Sequence, residues 1–247
     1  MGVGQVHRGV AGPTEAGQAP GPTCENPGMG RLIPSNFDVT RLEPSERRTI
    51  EALVAGTGAE WLILPHVPFV DQGVEGEADV VVLHPERGGV VLEVKGGRIS
   101  VRQGVWHQED RALVRSPAEQ AQKGVHVLAK KVKGANPDAP RPRLVHGIVL
   151  PDASSVPEGS LGPDLEARMV LTGQELSWPE EALLALANHG RPGDQRIDLG
   201  PAVRALRPDL DFEARLGDEI VAVERRLDHD TESTLRSEEH TSELQSH

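Results

Sequence analysis

The chain has 247 residues, enough for one large domain or a domain with an appendage. No stretch approaches the ~20 apolar residues of a membrane span, no N-terminal apolar run reads as a signal peptide, and the single cysteine, Cys24, excludes an internal disulfide. Aromatic residues are only 2%, with no tyrosine, which leaves the core to Val, Leu, Ile and Ala, and a net charge of −12 speaks superficially against a nucleic-acid partner. A lone thiol fits a cytoplasmic location, and 21 arginines against 5 lysines fit a GC-rich bacterial coding sequence.

Residues 1–28 are rich in Gly and Pro and lack an apolar period, so they read as a disordered tail, with Met29 as a possible true start. SERRTIEALV (45–54) reads as a helix capped by Ser45, with Ile50, Leu53 and Val54 on one stripe. WLILPHV (61–67) reads as a strand, and 77–83 and 89–95 as two more, joined by HPERG (84–88), which has turn chemistry. ISV and GVWHQ (99–108) read as a short hairpin, with Trp106 a packing residue or, alternatively, a surface on which a base stacks. SPAEQAQKGVHVLAKKV (116–132) begins with a Ser cap and a Pro at the first helical position. LVHGIVL (144–150) and ARMVL (167–171) are strands; WPEEALLALANHG (178–190), PAVRAL and LGDEIVAVERRL (216–227) are helical. The order predicts an α/β fold, a mixed sheet flanked by helices with a helical C-terminal extension. RSEEHTSELQSH (236–247) matches one reading frame of a common sequencing-adapter oligonucleotide and reads as an artefact, added where the natural chain continued beyond Leu235.

The informative stretch is GEADVVVLHPERGGVVLEVKGG (76–97), where Asp79, Glu93 and Lys95 interrupt runs of valine and leucine. Side chains alternate faces along a strand, which groups Val91, Glu93 and Lys95. A regular hairpin across 84–88 pairs 83 with 89 and 81 with 91, and so sets Asp79 opposite Glu93 and Glu77 opposite Lys95. Opposed Cβ atoms lie ~5 Å apart, and two carboxylates that close repel unless a cation stands between them. Mg²⁺ does this with one or two carboxylates plus water and phosphate oxygens. The plainer reading is a half-exposed hairpin with a surface Glu77–Lys95 ion pair. Charge distribution adds a second clue. Residues 95–143 hold 11 lysines and arginines against 4 acidic residues, whereas 144–235 hold 8 against 18. A basic stretch on an acidic protein can attract phosphates, or it can be a solvated helix face.

Asp79 followed by Glu93-Val94-Lys95 resembles the D…(D/E)xK signature of the restriction-endonuclease-like nuclease superfamily. Within it the chain is similar to the NERD, or nuclease-related, domain, through SERRTIEAL with Glu46, the stretch 76–97, GVWHQ, and SPAEQ with Gln120. The family often leads into its first glutamate with G-x-x-GE, where this chain has EPSE. The resemblance implies a restriction-endonuclease-like core, with 29–172 as the nuclease-like domain and 173–235 as an extension toward a further domain. It implies DNA phosphodiester hydrolysis with Mg²⁺ or Mn²⁺. Asp79, Glu93 and Glu46 would be metal ligands, with the Val94 carbonyl beside them, Lys95 would orient water, and Gln120 would position the lysine or the DNA. Lys123, Lys130, Lys131, Lys133, Arg141 and Arg143 are candidate phosphate contacts. Family members often precede a superfamily 1 helicase, yet these 247 residues hold no GxxxxGK[ST] loop, so ATP binding is not assigned. The alternative is a catalytically silent nucleic-acid-binding or regulatory module of such a helicase.

Overall fold

Prolines set where the helices start. In the computed structural model, which describes residues 28–156, 161, 165–188 and 196–209, a short strand β1 (Arg31–Leu32) precedes α1 (Pro44–Gly56). Pro44 takes the first turn, so the cap position falls on Glu43, whose side chain makes no capping bond. Ser45, expected as the cap, therefore lies inside the helix. Pro117 likewise opens α2 (Pro117–Ala135), and there the expected cap forms: Ser116 Oγ accepts from the Glu119 N–H and Glu119 Oε2 from the Ser116 N–H, each at 3.0 Å.

Three strands run between them. β2 (Leu62–Asp71) and β3 (Val74–His84) form a hairpin longer than predicted, closed by Gln72 and Gly73 at φ 50° and 81°. Positive φ at both positions is the backbone of a tight two-residue hairpin turn. β4 (Gly88–Val94) pairs antiparallel with β3 in the expected register, Leu83 opposite Gly89 and Val81 opposite Val91, as far as Val80–Leu92. The small sheet β5 (Ile99–Arg102), β6 (Val105–Gln108) and β7 (Arg111–Ala112) follows, then α2, then β8 (Leu144–Leu150), parallel to β4. β9 (Val170–Thr172), shorter than the predicted 167–171 because Ala167–Met169 winds as a 3-10 turn, completes a mixed sheet ordered β1-β2-β3-β4-β8-β9. The helices α3 (Pro179–Asn188) and α4 (Gly200–Leu206) come last among the described residues.

Strand alternation divides the core between the two faces. Val80, Val82, Val90 and Leu92 pack with α1 and α3 through Ile50, Leu53, Leu183 and Leu186. Val81, Leu83 and Val91 face α2 and α4 through Leu128, Val132, Ala202 and Leu206. The architecture is thus a nuclease-like α/β fold with four helices flanking a central mixed sheet among the described residues. Contacts group the chain through Arg207 as one unit and Pro208–His247 as another. The helix expected at 216–227, the segment 236–247, and all of the tail expected at 1–28 but its last residue lie outside the described residues. No helix among the described residues is long and apolar enough to cross a membrane.

Candidate active site

β4 and β8 run parallel, so their carboxyl ends share one edge of the sheet, where open α/β sheets bind ligands. Glu93 and Lys95 stand at that edge. Glu93 is only 3% exposed, and Lys95 Nζ lies 2.6 Å from its Oε1. Lys95 stays in place because its own N–H continues the ladder to the Val149 carbonyl at 2.9 Å. The chain then turns away through two glycines. A Cβ on Gly96 would come within 2.7 Å of Ser45, and Gly97 adopts φ 75° while its N–H donates to Asp152 at 2.7 Å. The Gly-Gly pair thus lets the strand end press against α1.

Asp79 sits one register step past the last β3–β4 pair. Its Oδ2 accepts from the Val94 N–H at 2.7 Å, taking the place of a main-chain partner. Burial pushes the Asp79 carboxyl up, opposed by that bond and by the Lys95 charge. Burial, and then the Asp79 charge, push Glu93 up to about 7, although Lys95 pulls the other way. Two carboxyls are therefore desolvated together, with one ammonium group to share between them.

Glu46, on the first turn of α1, also reaches this cluster, and its charge acts on both Asp79 and Glu93. Its Oε2 lies 3.1 Å from Nε2 of His66, while Nδ1 of the same ring lies 3.0 Å from Glu77 Oε1. Glu77 thus faces His66, and not Lys95 as the extrapolated hairpin register predicts, because the β3–β4 ladder ends at Val80. Period counting gives His66 no role. Its signal is a polar residue between Pro65 and Pro68 in an otherwise apolar run.

The other predicted residues lie apart from this cluster. The Gln120 amide turns back toward the Arg115 and Ser116 carbonyls at 3.4 and 3.5 Å. Lys123, Lys130 and Lys131 line a groove of about 1680 Å³ between α2 and the β2–β3 hairpin. The facing wall carries Asp71, Glu75 and Glu77, and Lys123 pairs with Asp71 at 3.3 Å. Within the basic stretch, Lys123 is therefore matched by an acidic residue of the same protein. Lys133 is exposed on the last turn of α2. Arg143 gives its carbonyl to the Gly89 N–H, at the far end of β4, roughly 20 Å from Lys95 at 3.3 Å per residue. Arg141 lies just before it.

The donor set suits a hard cation. Asp79 and Glu93 each have one oxygen engaged by a protein donor, which leaves the pair able to supply the one or two carboxylates that Mg²⁺ uses beside water and phosphate. Among the described residues no three His, Cys, Asp or Glu side chains gather to hold a metal. Glu46 stands beside the pair with its Oε2 on the His66 ring, near enough for its charge to act on both carboxyls.

A nuclease-like α/β fold with paired carboxylates and a lysine at the carboxyl edge of its central strand defines the class. Residues 42–150 match the family model described as nuclease-related domain, NERD, and the match runs from just before α1 to the end of β8. It supports the NERD family for this part of the chain and a nuclease-like function in general. No curated protein and no solved structure matches the chain.

Proposed function

We propose that this domain hydrolyses DNA phosphodiester bonds with Mg²⁺ or Mn²⁺, as a member of the restriction-endonuclease-like PD-(D/E)xK superfamily. The observation that carries the reading is Glu93, held by Lys95, with its carboxyl pushed up first by burial and then by the Asp79 charge. A plain core has no use for two desolvated carboxyls, whereas a cation site does. Asp79 and Glu93 would hold the metal, which when bound supplies Lewis acidity toward a phosphate oxygen and lowers the pKa of water. The Lys95 side chain is 20% exposed, so its ammonium group can reach a water or a phosphate oxygen while still bonded to Glu93. Glu46, held by the His66 ring, would stand beside the pair as a further carboxylate for this metal or a second one. Lys130, Lys131 and Lys133, exposed on α2, are the candidates for sequence-independent phosphate contacts. We place the domain in a bacterial cytoplasmic protein of DNA repair, recombination or defence, preceding a helicase.

The second reading is a silent DNA-binding or regulatory module, favoured by the Lys95–Glu93 bond, which occupies a carboxylate oxygen that a metal would use. Incubation with single-stranded, double-stranded and forked DNA in Mg²⁺ or Mn²⁺ separates the two. Wild type should cleave at least one substrate, and Glu93→Gln and Lys95→Ala should each slow cleavage by on the order of 10² or more while folding normally. DNA binding without cleavage by wild type under either metal transfers the conclusion to the silent module.

A further inference from the structure

The middle of β2 departs from strand geometry at one residue. His66 has φ 48°, a left-handed backbone that interrupts the extended strand and that histidine tolerates better than most side chains. The β2–β3 ladder pairs Pro65 with Val80 and Val67 with Ala78, and it skips the step between them, where His66 meets Asp79. The kink also reverses the alternation. Leu64 and Val67, three residues apart, share one face of the core, and so do Ala78 and Val81. Local distortions of this kind re-aim side chains beside active sites. Here the distortion brings the His66 ring between Glu46 and Glu77.

A carbonyl turned out of its ladder needs another donor. The His66 carbonyl finds one in Arg207, whose Nη2 donates to it at 2.9 Å across 141 residues of sequence. Arg207 directly follows α4, which is anchored on α2 through Ala202 and Leu206. Its guanidinium is partly buried near the Glu77 charge, and among the described residues its Nε has no hydrogen-bond partner. That placement carries a desolvation cost, offset in part by the bond to the His66 carbonyl.

We propose that Arg207, beyond the family-matched residues 42–150, is a positioning residue of the candidate active site: its guanidinium holds the kinked His66 backbone, and the His66 ring in turn fixes Glu46 and Glu77. The part Glu46 plays in catalysis rests on the nuclease reading; the chain of bonds from Arg207 to Glu46 does not. The helical extension after β9 is then part of the site and not merely a linker.

The test uses the full chain without added metal. His66 ring ¹³C–¹H signals, identified by their loss in His66→Gln, are compared in wild type, Glu46→Gln, Arg207→Ala and Arg207→Lys. Arg207→Ala and Glu46→Gln should both shift them, and added guanidinium ion should return the signals of Arg207→Ala and leave those of Glu46→Gln displaced. Arg207→Lys keeps the stem and charge without the planar fork, so it guards against a misfolded alanine variant and should restore the signals only in part. Unchanged His66 signals in Arg207→Ala overturn the proposal, and so does a shift that guanidinium does not reverse. Where wild type cleaves DNA, Arg207→Ala should lower kcat roughly tenfold with KM unchanged, the scale of one missing charge-assisted hydrogen bond. An unchanged kcat in that variant likewise overturns it. A wild type that cleaves nothing counts against the nuclease reading alone, and the ring signals still decide the Arg207 interaction.

Discussion

Glu93 carries the electrostatic cost of the site. Its carboxyl has an ordinary pKa of 4.5 when exposed and about 7 in the fold, chiefly because it is buried and secondarily because Asp79 is beside it. The native state therefore holds this proton more tightly than the unfolded chain does. The resulting stability is fully present below about pH 4.5 and is lost as pH rises through 7. Without metal, Glu93→Gln should remove that dependence and leave the protein more stable than wild type at pH 8, by up to roughly 3 kcal/mol. Urea unfolding at pH 5 and pH 8 measures this, and parallel stability curves for the two proteins would contradict it. Millimolar Mg²⁺ should stabilise wild type at pH 8 and have little effect on Glu93→Gln, since a ligand stabilises only the state that binds it. Asp79, Glu93 and Lys95 are legible in the sequence because each interrupts an apolar strand at a spacing that alternation converts into geometry. His66 is less so, since its role depends on a backbone kink, and Arg207 not at all, since its hydrogen bond spans 141 residues.

At the scale of elements, local chemistry fixed most boundaries. The Ser116–Glu119 capping box and the prolines at helix starts act within a few residues, which is why α2 is readable from its first turn. The β2–β3 hairpin is under-read because Pro65, Pro68 and Gly76 weaken the strand signal, while Gln72-Gly73 closes it further out than the apolar run suggests. The junction of β4 with α1 depends on Gly96, where a methyl group would meet Ser45 Cβ and Oγ at 2.7 Å. Gly96→Ala should therefore destabilise the fold by about 1–3 kcal/mol, the usual cost of overpacking. Because Lys95 is the preceding residue, the same change should lower cleavage more than it lowers DNA affinity. Thermal unfolding combined with binding and cleavage assays checks this. A Gly96→Ala protein as stable and active as wild type would show that the strand end is free to move off the helix.

For the molecule as a whole, net charge hides the arrangement that governs binding. The chain is at −12, yet its five lysines all fall between residues 95 and 133, and three of them line the groove against the acidic wall of the hairpin. Proximity to Asp71 at 3.3 Å holds Lys123, so a phosphate must compete with a carboxylate for it. Exposed Lys130, Lys131 and Lys133 face no such competitor at ion-pair distance among the described residues. Two opposite outcomes follow from this difference. Replacing Lys130, Lys131 and Lys133 with Ala should weaken binding to all DNA sequences and flatten its salt dependence, by roughly 0.9 in the log–log slope for each phosphate no longer neutralised, with cleavage at saturating DNA largely kept. Asp71→Asn should instead release Lys123, tighten DNA binding and steepen the salt dependence. Fluorescence anisotropy of a labelled duplex over a salt series measures both slopes. If Asp71→Asn leaves affinity and slope unchanged while the triple-lysine variant is reduced in both, Lys123 is a structural tie between hairpin and helix, and the DNA path runs over the outer face of α2.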